Sequence, residues 1–232
     1  MPNWCSNVLT VTGKPEDLLE FKLYAEGHGI FWSGEDEIAT DEDREKYFSC
    51  MDFSQFVRPT ATELDLPYSQ HDLEIDGYSW QCKNWGTKWN ACHAEIIDDD
   101  DRLIYNFDTA WSPMSQKLLD AMTGAFRCLE FVYQFSEGGM AFVGDNSDDG
   151  QIQGWTLPET EELRKHVVPI YQEEKPISES DGMEYSEDDM LCDIYCDIID
   201  DFHSGDVWVE GGFFHWKRDY REEPIIMKEG KS

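Results

Sequence analysis

The segment SEDDMLCDIYCDIIDDFHSG, residues 186–205, restricts the possible folds of this chain more than any other segment. Apolar side chains recur in it at Met190, Ile194, Ile198 and Phe202, which is the spacing of a helix with one buried face. The segment contains no lysine or arginine, so nothing within it compensates the acids that fill its other positions. The sequence therefore predicts an amphipathic helix over 186–203 that packs on a core through one face and presents acids on the other.

The acids of this predicted helix form the main candidate binding surface. They are Glu187, Asp188, Asp189, Asp193, Asp197, Asp200 and Asp201. Like charges four residues apart on a helix repel each other by roughly 0.2–0.5 kcal/mol per pair. The pattern therefore destabilises the helix itself, which indicates another role for the acids. Carboxylates four residues apart lie about 6 Å apart along the axis. Two such rows have a charge density of the same order as a DNA strand, with one phosphate per about 3.4 Å.

The whole chain is strongly acidic, with 50 acidic against 18 basic residues and a formal net charge of -32. Such a charge repels DNA, RNA and anionic lipid and attracts basic surfaces. Hydrophobic residues make up 40% of the chain and aromatic residues 14%, which predicts a packed core rather than disorder. A role of the acids in solubility alone stays open as the simpler alternative.

Cysteine usage and the absence of targeting signals predict a cytoplasmic protein. The seven cysteines are scattered and form no CxxC pair, which argues against a zinc ribbon. The N-terminus lacks the basic and apolar regions of a signal peptide, and no stretch approaches the roughly 20 apolar residues that span a bilayer. Free thiols in a reduced compartment are the expected state.

The order of predicted elements indicates an α+β fold. A strand in SNVLTVTG precedes a helix in KPEDLLEFKLYAEG, and a hairpin, a helix and further strands follow after an irregular insertion at about 29–90. This order is typical of a ferredoxin-like split βαβ sandwich. We expect this domain to occupy residues 1–157, and an acidic C-terminal extension with a helix and a hairpin to occupy 158–232 and pack on it. The acids Asp98, Asp99, Asp100 and Asp101 lie at the predicted hairpin tip and would add to the acidic surface.

Three stretches resemble a known family. MPNWCSNVLTVTG at the N-terminus, NWGTKWNA at 84–91 and FDTAWSP at 107–113 are similar to the YubB-type ferredoxin-like proteins of plasmids and phages. The resemblance covers about residues 1–150 and implies a ferredoxin-like fold and an origin in a mobile element, without an established activity. The acidic helix lies outside it.

The tryptophans of these motifs, Trp85, Trp89 and Trp111, allow two interpretations. In the first they pack with Trp4 in a structural corner, where each indole would bury about 150–250 Å². In the second they form an aromatic pocket for a base or a peptide.

Other candidate sites are weaker. Asp145 and Asp149 in DNSDDG resemble the start of a calcium loop, but Thr156 stands where the bidentate acid is expected. Cys92 and His93 are adjacent on a predicted strand and would point to opposite faces, so they do not make a catalytic pair. We therefore expect no enzymatic activity and no cofactor.

The sequence thus leads to one main hypothesis and one alternative. The protein would be an acidic, nucleic-acid-mimicking inhibitor, encoded by a phage or plasmid, that acts in the host cytoplasm. Its partner would be a basic nucleic-acid-binding protein of the host, such as a nuclease, a restriction enzyme or a CRISPR-type complex. Alternatively, it is a non-enzymatic adaptor that binds a protein or small ligand through the tryptophan-rich loop.

Overall fold

A computed structural model describes residues 3–29, 48–64, 76–99, 101–170, 187–217 and 224–230. Contacts divide the chain into two compact units, one of residues 1–137 and 145–152 and the other of 138–144 and 153–232. The chain passes from the first unit to the second for the last time between Ile152 and Gln153, five residues before the boundary expected after Leu157. No helix in the described ranges is both long enough and apolar enough to cross a membrane.

The elements alternate between helices and strands along the chain. The helices are α1 (Pro15–Ala25), α2 (Ala61–Leu64), α3 (Gly77–Trp85), α4 (Gln116–Ala125), α5 (Thr160–His166) and α6 (Glu187–Ser204), with a 3₁₀ turn at Phe53–Gln55. The strands are β1 (Trp4–Thr12), β2 (Cys92–Asp99), β3 (Arg102–Ala110), β4 (Glu130–Glu137), β5 (Phe142–Asp145), β6 (Gln153–Thr156), β7 (Val207–Glu210), β8 (Phe213–Trp216) and β9 (Ile225–Lys228).

The first unit contains the ferredoxin-like sheet. Its strands follow the order β2-β3-β1-β4, and β1 pairs antiparallel with both β3 and β4. Each strand–helix–strand unit is split, because β3 lies between β1 and β2 and β1 lies between β3 and β4. The predicted α+β class and the ferredoxin-like split βαβ arrangement are confirmed, and the insertion falls between α1 and β2 as expected.

The core of this unit lies between the sheet and its helices. Alternate residues of β1 point to opposite faces, so Leu9 and Val11 are fully buried. On α1, Phe21 packs edge-on against Tyr105 of β3 and against Phe126 after α4. Such aromatic pairs add about 0.5–1.5 kcal/mol beyond the burial of their area, so they fix the position of α1 on the sheet.

The second unit packs α6 on a small antiparallel sheet of order β7-β8-β9. Met190, Ile194, Ile198 and Phe202 of α6 are buried together with residues of this sheet. The predicted helix and its buried stripe are therefore confirmed. The hairpin of β7 and β8 turns at Gly211 and Gly212, whose φ angles of 61° and 80° require residues that tolerate the left-handed region.

Three local patterns predict features that the structure does not form: a strand in MDFSQFVRPT that ends at Pro59, a helix N-cap at Ser112, and a capping box from Thr156 to Glu159. MDFSQFVRPT is not a strand, because Asp52 accepts a hydrogen bond from the Ser54 backbone N–H and starts the 3₁₀ turn. Ser115, not Ser112, caps α4, since its hydroxyl accepts from the Leu118 N–H. The predicted capping box from Thr156 to Glu159 does not form, because Thr156 is the last residue of β6.

The sequence analysis also missed elements of regular structure. It found no element between Ala61 and Trp80, where α2 and the start of α3 lie, and it missed β6 and β9. All of these elements except α3 have only four residues, which is too short for a periodic pattern to stand out.

Candidate functional site

The acidic face of α6 exists, but its aspartates differ in exposure. Asp189 and Asp200 are exposed, and Asp193, Asp197 and Asp201 are half-buried. The side chains of Glu187 and Asp188 lie outside the described residues. Because the opposite face of the helix is buried, the described carboxylates are attached to a fixed element rather than to a loop.

The aspartates spaced by four do not form a straight row. A helix has 3.6 residues per turn, so each step of four residues rotates about 40° beyond a full turn. The row accordingly runs from exposed Asp189 to half-buried Asp201, which accepts a hydrogen bond from the Trp216 indole N–H at 2.6 Å. Asp201 therefore also binds the core tryptophan of β8, and its place in a partner-binding surface stays a prediction.

The other aspartates of this row are also engaged within the protein. Asp189, Asp193 and Asp197 each take part in a hydrogen bond or another electrostatic interaction. They are therefore not the isolated charges that the sequence of the helix suggested. Any partner has to bind these carboxylates in the presence of their existing contacts.

The acids of the β2–β3 hairpin are partly neutralised. Asp98 forms an ion pair with Lys22 at 2.6 Å, and this hydrogen bond raises the pKa of Lys22. Asp99 pairs with Arg102 at 3.0 Å, and Asp101 is exposed. Asp100 lies outside the described residues. These acids belong to the first unit and those of α6 to the second, so the two groups are not neighbours within one compact unit.

Trp85 is a core residue and not part of a surface pocket. Its side chain is fully buried, and its indole N–H donates to the Val57 carbonyl at 2.8 Å. It packs edge-on against Trp80 and Phe53 at ring distances of 5.6 and 6.0 Å. The expectation that Trp85 contacts a ligand is therefore corrected.

The three motifs of the family resemblance meet in one hydrogen-bonded corner. Thr87 donates its hydroxyl to the Ala110 carbonyl at 3.1 Å and accepts from the Ala110 N–H at 3.0 Å. The backbone N–H of Trp111 donates to the carbonyl of Asn3 at 2.9 Å. Gly86 has a φ of 86°, and a Cβ there would approach the Ser115 nitrogen to 2.6 Å, so glycine is required at this close approach.

The outer part of this corner carries an aromatic cluster. Trp4 lies 6.0 Å from Trp89 and 5.1 Å from His93, measured between ring centroids. The Lys88 ammonium lies 3.9 Å from the centroid of Trp89, within the range of a cation–π interaction. Trp111 is 44% exposed with a φ of 73°. The corner therefore offers half-exposed indole rings beside a cation, which suits a planar or apolar group.

The neighbouring cysteine and histidine do not form a catalytic pair. Cys92 donates its thiol to the Asn90 carbonyl at 3.4 Å, and burial raises its pKa. The imidazole of His93 instead contacts the Asp108 carboxylate at 2.9 Å through Nδ1. The imidazole thus contacts a carboxylate and not the thiol that it would have to activate.

The weak metal candidate also has a structural explanation. Asp145 accepts hydrogen bonds from the N–H and the hydroxyl of Ser147 at 2.9 and 2.8 Å, which is an Asx turn. Asp149 has a φ of 55° in the same turn. Across the described ranges, no group of three or more histidine, cysteine, aspartate or glutamate side chains is placed to hold a metal ion.

Sequence reasoning missed a buried carboxylate that organises the insertion. Asp52 is fully buried and accepts hydrogen bonds from Ser54, Asn90, Gly29 and Gln55. Only the local Asp-x-Ser pattern was visible in the sequence, and it indicates a turn rather than a hub.

The comparison with family models agrees with the fold. Residues 84–175 match a family model described as the ferredoxin-like domain in Api92-like protein, and this stretch contains NWGTKWNA and FDTAWSP. One solved structure, that of a protein api92 from Yersinia pseudotuberculosis, is similar to 68% of this chain and 100% of that chain, with 10% identity and a TM-score of 0.48. The comparison with curated proteins gives no match. The family match supports a ferredoxin-like domain in this part of the chain.

Proposed function

For a chain with a ferredoxin-like domain and an acidic helix in a second unit, we propose the function of a nucleic-acid-mimicking inhibitor. The target is a basic DNA-processing or defence protein of a host cell. Such a protein would belong to the YubB-type group, would be encoded by a phage or plasmid, and would act in the host cytoplasm. One observation carries the proposal: α6 holds its acids on a helix whose opposite face is locked into a core.

The spacing of these acids supports the proposal. Asp189, Asp193, Asp197 and Asp200 lie within twelve residues of α6, whose eleven steps of 1.5 Å span about 16 Å. That is one charge per about 5 Å, of the same order as the phosphates of a DNA strand. The rotation of the row around the helix spreads the charges over a curved surface rather than a line.

The net charge of -32 gives the interaction its driving force. When a basic groove binds DNA, it neutralises phosphates and releases the counterions condensed on them, and in this proposal the acids of the protein take the place of those phosphates. The same charge steers a basic partner toward the protein and accelerates association.

The experiment recovers a partner and then tests competition. The protein is immobilised, bound host proteins are recovered at several salt concentrations, and a labelled DNA duplex is added to the recovered complex. If four carboxylates replace phosphates, the slope is about -3.6, so affinity should fall roughly a hundredfold between about 50 and 200 mM salt. A partner that binds DNA and this protein simultaneously would contradict the proposal.

Removing two exposed charges of α6 should weaken this binding. The double variant Asp189→Asn/Asp200→Asn should lose affinity by about tenfold, because each lost contact removes its share of counterion release. Titration calorimetry with the recovered partner measures the loss. The matched control is Glu16→Gln/Glu20→Gln on α1, which removes two charges four residues apart from the other unit and should change affinity less than about twofold. Equal losses in both variants would show that only the net charge matters.

A second candidate function rests on the aromatic cluster of Trp4, Trp89 and His93. Its rings contact one another and remain partly accessible beside Lys88. A protein or small ligand with an exposed aromatic or apolar group could dock there, which is the adaptor function. Trp89 and Trp111, which are both partly accessible, would then determine the affinity, because indole rings that become buried in an interface are frequent hot spots of binding.

The adaptor function predicts a different pattern of variants. Trp89→Ala and Trp111→Ala should each lower the affinity for the recovered partner by about tenfold, whereas Asp189→Asn/Asp200→Asn should leave it unchanged. Trp208→Ala is the control, because Trp208 is also exposed but stacks on His215 in the second unit. If the aspartate variant alone loses binding, the adaptor function is excluded.

A further inference from the structure

Among the described residues, strand β2 is the terminal strand of its sheet, so one of its edges has no neighbouring strand there. It pairs antiparallel with β3 at Cys92 and from Glu95 to Asp99, and the register shifts between Cys92 and Glu95. Across the part of the chain that the structure describes, no backbone hydrogen bond joins it to another segment. In an antiparallel pair, alternate residues direct their N–H and C=O groups away from the partner. The outer edge of β2 therefore presents a row of backbone donors and acceptors.

A cleft of about 710 Å³ runs along this edge. Four consecutive residues of β2, from His93 to Ile96, line it. Glu95 and Ile96 lie in the regularly paired part of β2 and point to opposite faces of the sheet, so a cleft that both of them line lies along the backbone edge. The opposite wall is formed by Phe48, Ser49 and Cys50.

The segment that follows α1 holds that wall in place. Ser49 and Gly27 exchange two backbone hydrogen bonds, of 2.8 and 3.1 Å. The lining of the cleft is mixed, with Ala94, Ile96 and Phe48 among its apolar residues and His93, Glu95 and Ser49 among its polar ones. The cleft thus has a wall held by backbone hydrogen bonds and offers both apolar and polar side chains to an added strand.

The charge along the edge determines what can be added. Glu95, Asp98 and Asp99 are exposed on β2, and Asp101 follows in the turn. Lys22 and Arg102 pair with two of these four acids, which leaves the edge negative. A second copy of this strand would place like charges opposite each other, which is destabilising and is a common protection of edge strands. A basic strand would meet no such repulsion.

We propose that the outer edge of β2 binds an extended segment of a basic partner protein, which extends the sheet by one strand. This is recognition by strand addition, in which the main chain gives affinity and alternate side chains give specificity. Side chains on one side of the segment are lysine or arginine and face Glu95, with which neither Lys22 nor Arg102 pairs. Those on the other side are small and apolar and enter the cleft toward Ala94 and Ile96.

This surface belongs to the first unit and does not depend on mimicry by α6. The two proposals therefore fail separately. The variant Asp189→Asn/Asp200→Asn should bind a basic strand as the unchanged protein does.

The test uses the full chain and two capped peptides of equal composition. One alternates lysine and valine over eight residues, and the other has four lysines followed by four valines. Fluorescence anisotropy should show that the alternating peptide binds at least tenfold more tightly. Amide hydrogen exchange followed by NMR should show new protection at alternate amides of β2 and not on α6.

Variants of the edge complete the test. Glu95→Lys reverses the charge that faces the peptide and should lower the affinity for the alternating peptide at least tenfold. Glu20→Lys makes the same change at an exposed position of α1 and should change this affinity less than twofold. Equal binding of the two peptides, or equal effects of the two variants, would overturn the proposal by showing non-specific attraction. Outer β2 amides that are already as protected in the isolated protein as those of β3 would overturn it too, because the edge would then be occupied within the chain.

Discussion

Trp85→Ala should lower the free energy of unfolding by about 3–5 kcal/mol, the range for removing a large aromatic side chain from a core. The indole is fully buried and contacts Trp80 and Phe53 edge-on. Its removal leaves a cavity and also leaves the Val57 carbonyl without its donor. Urea unfolding followed by far-UV circular dichroism measures the change without relying on tryptophan fluorescence.

The control for this prediction lies in the same motif. Trp89 is half-buried and contacts Trp4 and Lys88 at the surface. Trp89→Ala should cost less than half as much, because solvent fills the space that the ring leaves and no buried acceptor loses its donor. Similar losses in both variants would mean that Trp85 is not the anchor of the insertion.

Asp52→Ala should lower the free energy of unfolding by more than about 3 kcal/mol. One carboxylate oxygen accepts from the Ser54 N–H at 2.9 Å, the Ser54 hydroxyl at 2.7 Å and the Asn90 amide at 2.7 Å. The other accepts from the Gly29 N–H at 2.9 Å and the Gln55 amide at 3.2 Å. A hydrogen bond to a charged group contributes about 1.5–3 kcal/mol, and buried donors left without an acceptor add to the loss. Thermal and urea unfolding measure the effect.

Asp145 offers a matched control, because it makes the same local bonds to a serine two residues later. Its carboxylate accepts from the N–H and the hydroxyl of Ser147 in an exposed turn. Asp145→Ala should cost less than about 1 kcal/mol, since water replaces the lost acceptor. If both aspartate variants lose the same stability, the long-range bonds of Asp52 to Asn90 and Gly29 do not contribute.

Local pattern was sufficient to predict α6 and the β7–β8 hairpin. The helix has eighteen residues, so its apolar stripe repeats often enough to identify the buried face. The hairpin turns at a pair of adjacent glycines. Such a pair is typical of two-residue hairpin turns, because both central residues there have a positive φ. The strand–helix order of the first unit, with its insertion after α1, similarly predicted the split βαβ sheet, whose order the structure confirms.

The candidate site was less predictable, because exposure depends on partners distant in the chain. The spacing of Asp201 places it in the acidic row, but only the packing of β8 brings the Trp216 indole against its carboxylate. Trp85 and Trp89 occur four residues apart in one motif, yet one is fully buried and the other half-exposed. No local pattern distinguishes them, since the Val57 carbonyl that receives the Trp85 N–H is 28 residues away.

The sequence by itself determined the charge of this protein, the class of its fold and the faces of its longest helix, because composition and periodicity act locally. Tertiary structure alone decided which acids and tryptophans reach the surface, and among the described residues it left β2 at the edge of a sheet beside a cleft. The physical reason is that burial and pairing are set by contacts between residues far apart in the chain, such as Asp52 with Asn90. A one-dimensional pattern does not contain those contacts.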